Sequence, residues 1–68
     1  MRLTYLGKTN TSNEGSCPAL YRTDRGTVVV QGKIVTDPDA LADVRDLAPD
    51  ETIVEVPPDV LELWREAS

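Results

Sequence analysis

The sequence lacks histidine and phenylalanine altogether, and its 68 residues include one cysteine, one methionine and one tryptophan. Without histidine, the commonest general acid–base group at neutral pH is missing and a structural zinc site is nearly excluded. The single cysteine, Cys17, cannot form an internal disulfide, which fits a reducing cytoplasm. Without phenylalanine, the core must be built from leucine, valine and isoleucine.

The sequence also lacks an apolar stretch long enough for a signal peptide or a membrane helix. We therefore expect a cytoplasmic protein that does not bind membranes. A length of 68 residues predicts a single domain, 1–68. A domain of this size buries only about 60% of its unfolded surface, so it folds with a thin margin of stability. We expect a monomer or a weak homodimer.

Charge is divided unequally between the two halves of the chain. Residues 1–34 contain five basic and two acidic residues, a net charge of +3, whereas residues 35–68 contain two basic and ten acidic residues, a net charge of −8. Such a polarised chain attracts a basic partner and repels nucleic acid.

The first half predicts antiparallel strands. Residues 2–6 are rich in β-favouring types and predict a strand that ends at Gly7, and the small polar residues of 7–16 predict a loop. Segments 17–23 and 27–31 flank Asp24-Arg25-Gly26, which predicts a β-hairpin.

Two further strands are predicted after the hairpin turn. The β-branched run Val28-Val29-Val30 is typical of a strand buried on both faces, so we expect it at the centre of the sheet. Gly32 then predicts a bulge or bend before a strand over 33–35. Residues 48–51 predict a turn, and residues 52–56 another strand.

Two helices are predicted in the acidic half. The first begins with Thr36 as its N-cap and Pro38 in its first turn, and Leu41, Val44 and Leu47 recur at helical spacing over two to three turns.

The second helix follows Pro58. Val60, Leu63, Trp64 and Ala67 fall on one face, which predicts that Trp64 anchors the helix to the sheet rather than binding a ligand. The resulting fold class is α+β, a small antiparallel sheet of four or five strands with a short middle helix and a C-terminal helix.

No catalytic, cofactor-binding or metal-binding constellation stands out. The acidic residues near 37–43 do not complete a calcium-loop pattern, and Gly7-Lys8-Thr9 lacks the preceding glycine of a phosphate loop. Cys17 has no histidine partner, which favours a small buried residue over a nucleophile. We therefore expect a protein that is not an enzyme and needs no cofactor; a minimal enzyme built on a carboxylate pair is the weakest reading.

The acidic half supplies the candidate partner-binding surface. We expect a non-enzymatic protein-interaction module whose carboxylates face a basic protein: Asp39, Asp43, Asp46, Asp59, Glu62 and Glu66. The alternative is a small nucleic-acid-binding module that uses the basic hairpin through Arg22, Arg25 and Lys33. If the acidic residues only confer solubility, recognition belongs instead to the loop 7–16 or to an exposed strand edge.

Several segments also resemble a family of small actinobacterial proteins of undefined biochemistry that includes developmental regulators of the BldB type. The likeness rests on Thr-Ser-Asn-Glu-Gly-Ser-Cys at 11–17, Thr-Val-Val-Val at 27–30, Lys33, Asp37-Pro38 and Trp64. The chain is also similar to short actinobacterial proteins that contain Tyr-Leu-Gly-Lys, Thr-Asp-Arg-Gly-Thr and Val-Thr-Asp-Pro. Because the family is usually encoded beside helix-turn-helix regulators, the resemblance implies a regulatory partner of such a transcription regulator.

Overall fold

The computed structural model describes residues 1–9 and 18–67, which form five strands and two helices. The strands are β1 (Leu3–Lys8), β2 (Ala19–Thr23), β3 (Val28–Gln31), β4 (Lys33–Ile34) and β5 (Val54–Glu55), and the helices are α1 (Pro38–Asp43) and α2 (Asp59–Ala67). The predicted α+β class is confirmed, with a short middle helix and a C-terminal helix. The strands form two antiparallel sheets, one of three in the order β1-β2-β3 and one of two, β4-β5.

The predicted hairpin is confirmed between β2 and β3. The Thr23 amide donates to the Thr27 carbonyl at 3.0 Å, and Gly26 adopts the left-handed φ of 79° that this turn requires. The amides of Arg25 and Thr27 both donate to Thr23 Oγ1 at 3.1 Å. Thr23 is therefore buried with its hydroxyl satisfied locally.

The prediction that the valine run lies at the centre of the sheet is wrong. β2 is the central strand and β3 is an edge strand, in which the Val28 side chain is exposed and Val29 and Val30 are half-buried. A continuous β-branched run indicates a strand but does not say how many strands lie beside it. β2 becomes central because antiparallel neighbours precede and follow it in the chain.

The prediction that the first strand ends at Gly7 is also wrong. β1 continues to Lys8 through an irregularity at which the register shifts, so that Tyr5 pairs with Tyr21 but Gly7 pairs with Leu20. Glycine within a strand commonly marks a bulge of this kind. Of the predicted loop, 10–16 lies outside the described residues, as does Cys17.

The first helix begins one residue later than predicted and is shorter. Asp37, not Thr36, is its N-cap, since Asp37 Oδ1 accepts from the amides of Asp39 at 2.8 Å and Ala40 at 3.4 Å. The helix ends at Asp43, and Val44 is extended. None of its residues is buried, so α1 lacks the packing that stabilises most short helices. It therefore does not continue to Leu47 as predicted.

The chain then returns to pair with β4. The predicted turn at 48–51 is confirmed by a hydrogen bond from the Glu51 amide to the Ala48 carbonyl at 3.0 Å. Of the predicted strand over 52–56, only Val54 and Glu55 form a strand, β5. This strand packs closely against Gly32. A Cβ atom built on Gly32 would lie 2.5 Å from Val56 Cγ1 and 2.8 Å from the Glu55 carbonyl oxygen, so only glycine fits there.

The core lies between α2 and the three-stranded sheet. Helix α2 packs on β1 and β2, and the buried apolar residues of the described chain are Pro18, Ala19, Leu20 and Val60. Trp64 does not pack fully against the sheet, since 42% of its surface is exposed. Its ring instead lies beside the Arg22 guanidinium, whose Cζ is 5.5 Å from the ring centroid.

Candidate protein-interaction surface

Five of the six predicted partner-binding residues lie on the two helices, and the sixth follows the first helix. Asp39 and Asp43 lie in α1 with Asp46 in the bend that follows; we call these three the α1 acidic segment. Asp59, Glu62 and Glu66 follow one stripe of α2 at i, i+3 and i+7; we call these the α2 acidic stripe.

Two members of the α1 acidic segment have roles in the local structure. Asp39 lies in the first helical turn, where its negative charge interacts favourably with the helix dipole. Asp46 has a left-handed φ of 57°, a conformation that aspartate tolerates better than most residues. Local backbone structure therefore accounts for both residues without a partner.

Asp43 has no comparable role. It is the last residue of α1, where the dipole disfavours a carboxylate, and the last turn contains no basic residue to offset it. It also lies four residues after Asp39, a spacing at which like charges repel along a helix. Asp43 therefore costs local stability.

The α2 acidic stripe likewise contains residues with local interactions and one residue without them. Asp59 is half-buried in the first turn and already has a polar contact, and Glu62 Oε2 lies 3.4 Å from Nη1 of Arg65. Glu66 is exposed near the C-terminal end of the helix, where the dipole again disfavours an acid. Neither Glu66 nor Asp43 forms a hydrogen bond or ion pair with another described residue.

Large apolar side chains are also exposed on and next to the two helices. Leu41 is 42% exposed, Leu47 45% and Leu61 63%. The sequence predicts Leu41 and Leu47 as part of a buried helix face, because helical spacing alone does not reveal whether another element covers that face. The structure thus shows three exposed leucines in the same segments of the chain as the acids.

The two acidic groups do not pack together through their helices. The principal packing partners of α2 among the described elements are β1 and β2, and α1 has no buried residue. The candidate surface therefore consists of two separate groups, the α1 acidic segment and the α2 acidic stripe.

The basic residues of the alternative site lie on three different elements. Arg22 is on β2 beside Trp64, and Arg25 is in the hairpin turn with Nη1 3.8 Å from Met1 Sδ. Lys33 is on β4, where it pairs in register with Glu55. Arg22 and Lys33 already have polar or ring contacts.

Within residues 1–9 and 18–67, no group of three or more histidine, cysteine, aspartate or glutamate side chains is arranged to hold a metal ion. No helix in the same ranges combines the length and apolarity needed to cross a membrane. A scan against protein-family models, a search of curated proteins and a search of solved structures each found no match to this chain.

Proposed function

We propose that this chain is a non-enzymatic protein-interaction module that binds a basic protein through the α1 acidic segment and the α2 acidic stripe. Their carboxylates supply a negative field, and exposed leucines in the same segments supply apolar contact area. An interface of this kind combines charge that speeds encounter with apolar side chains that lengthen residence.

The observation that carries the proposal is the position of Asp43 and Glu66. Each carboxylate lies toward the C-terminal end of a helix, where it reinforces the negative end of the dipole, and neither has a partner among the described residues. An external cation, such as an arginine or lysine of a partner, would neutralise these carboxylates and so offset their unfavourable interaction with the helix dipole.

The resemblance to the BldB-type family supplies the class of partner. We infer that the basic protein is a helix-turn-helix transcription regulator in the cytoplasm, because members of that family are usually encoded beside such regulators. A regulator of this class carries lysine and arginine on its DNA-binding surface. Binding of the acidic helices there would compete with DNA.

The test is affinity capture from the source organism with three immobilised proteins. Wild type is compared with Asp43→Asn/Glu66→Gln and with Asp24→Asn/Asp50→Asn, which removes the same number of charges from exposed turns outside both helices. We expect a basic helix-turn-helix regulator to be retained by wild type and by the turn variant but lost from the helix variant. Equal retention by all three proteins would contradict the proposal.

Direct binding to nucleic acid distinguishes the alternative function. With a net charge of −5 and its basic residues on separate elements, the chain should not retain duplex DNA or single-stranded RNA at micromolar concentration and near-physiological salt. Retention that weakens steeply with salt, and that is lost in Arg25→Gln, would favour the nucleic-acid-binding module instead.

A further inference from the structure

Two large apolar side chains are exposed on the face of the three-stranded sheet that α2 does not cover. Tyr5 pairs with Tyr21, and Leu3 lies two residues before Tyr5 in β1, so their side chains share one face. Arg22, next to Tyr21 in β2, points to the opposite face, where it contacts Trp64 of α2. Leu3 is 48% exposed and Tyr5 is 56% exposed. Both side chains are therefore accessible to a partner.

Basic residues lie at both ends of this apolar pair. Lys8 pairs with Ala19 and so lies on the same face of the sheet as the two tyrosines. At the other end, Arg2 directly precedes β1, and Nη1 of Arg25 lies 3.8 Å from Sδ of Met1. The two ends are separated by the six residues of β1, a length of about 17 Å.

The charges of these cations are not neutralised within the described chain. Arg2, Lys8 and Arg25 are all exposed, and none of them forms an ion pair with another described residue. β1 contains no acid, and Asp24 in the hairpin turn is the only acid of residues 1–9 and 18–31. The exposed apolar pair therefore lies in a region of positive potential.

We propose that Leu3, Tyr5 and Lys8, together with Arg2 and Arg25 at the end of β1, form a site that binds an acidic peptide segment of another protein; we call this site the β1 basic face. The segment is extended and about six residues long, the length of β1. Its carboxylates lie near the cations at both ends, and an apolar side chain between them packs on the exposed leucine and tyrosine. The site shares no residue with the acidic helices, so it does not rest on the function proposed for them.

The site favours an acidic peptide over a single-stranded nucleic acid. Tyr21 is half-buried and its hydroxyl donates to Gln31 at 2.5 Å, so Tyr5 is the more accessible ring of the pair. Single-stranded nucleic acid is held by successive stacked bases and a continuous basic groove. The net charge of −5 also repels a long polyanion, whereas a short segment with a few carboxylates interacts mainly with the nearby cations.

The test is an NMR titration of the isotope-labelled chain at low salt with the capped peptide Glu-Glu-Leu-Tyr-Leu-Glu-Glu. In wild type, we expect the amide resonances of residues 3–8 and 19–23 to shift and those of α2 to stay in place. Lys8→Gln/Arg25→Gln should weaken the affinity by about tenfold, the scale of two exposed charge pairs. Arg45→Gln/Arg65→Gln removes the same number of cations from the acidic half and should bind like wild type. The amide spectrum shows whether each variant is folded.

Titrations of the wild-type chain with other probes decide the matter even if a variant fails to fold. The charge-reversed peptide Lys-Lys-Leu-Tyr-Leu-Lys-Lys should leave residues 3–8 unshifted and shift the amides of α1 and α2; its failure on the helices would count against the acidic surface alone. Several results overturn the β1 basic face: no shift with millimolar acidic peptide, equal shifts with both peptides, or tighter binding of a uridine heptanucleotide. Shifts of residues 3–8 on dilution without peptide would assign the face to a second copy and also overturn it.

Discussion

Val60 and Leu61 illustrate how few side chains of this molecule are buried. They are neighbours in α2, but Val60 is fully buried and Leu61 is 63% exposed. The other buried apolar residues among those described are Pro18, Ala19 and Leu20. With so few buried side chains, each contributes a large share of the stability of the domain.

We expect Val60→Ala to lower the free energy of unfolding by about 2 kcal/mol, the scale set by burial of one aliphatic side chain. Leu61→Ala removes a larger side chain from an exposed position on the same helix, so it should change stability by less than about 0.5 kcal/mol. Urea unfolding of both variants measures the difference. Equal losses would show that α2 does not pack through Val60.

Trp64 contributes less than a buried tryptophan. Truncation of a fully buried tryptophan costs about 3–5 kcal/mol, but this side chain is 42% exposed and lies beside Arg22. We expect Trp64→Ala to cost about 1–2 kcal/mol and to leave the chain folded at room temperature. A chain unfolded in water, measured by circular dichroism, would show instead that Trp64 stabilises the domain as much as a fully buried tryptophan does.

Among the elements, α1 depends on its cap rather than on a core. It has six residues, none of them buried, and its isolated helical propensity is insufficient at that length. Two hydrogen bonds to Asp37 Oδ1 fix its first turn. The element that carries Asp39 and Asp43 is therefore positioned largely by one aspartate.

We expect Asp37→Ala to weaken α1 by about 1 kcal/mol, the usual cost of losing an N-cap. Amide exchange of residues 38–43 should accelerate correspondingly, while exchange in β2 should stay unchanged. Thr36→Ala is the matched control, because the structure gives the cap to Asp37. Faster exchange in the Thr36 variant alone would identify Thr36 as the cap after all.

Local chemistry explains which elements the sequence predicts correctly. The turn Asp24-Arg25-Gly26 and the stripe through Val60 and Leu63 are specified within a few residues, and both the hairpin and α2 are confirmed. The position of β3 depends on which strands pair beside it, and the end of α1 depends on packing that the segment lacks. Neither property is encoded in the segment itself.

The candidate site shows the same limit. The sequence identifies the acidic residues and predicts two helices in the acidic half, and the structure places five of the acids on α1 and α2 and Asp46 in the bend after α1. The structure also shows that Leu41, Leu47 and Leu61 are exposed, although Leu41 and Leu47 lie at a helical spacing typical of a buried face. Burial is a tertiary property, so these leucines could not be identified from periodicity.

At the scale of the whole molecule, the basic and acidic halves of the sequence form different elements: the basic half forms the three-stranded sheet, and the acidic half forms both helices. The three-stranded sheet carries Lys8 and Arg22, with Arg2 just before β1, whereas both helices carry a net negative charge. A partner with a basic surface is therefore steered toward the helices and away from the sheet. This separation also leaves the β1 basic face outside the proposed acidic surface.

The most direct measurement of the central claim is the association rate with the captured regulator across an ionic-strength series. We expect the wild-type rate to fall steeply with salt, and Asp43→Asn/Glu66→Gln to reduce the low-salt rate by about tenfold, the lower range of electrostatic steering. Asp24→Asn/Asp50→Asn, with the same loss of charge, should retain most of the wild-type rate. A wild-type rate insensitive to salt and equal to that of the helix variant would contradict the account.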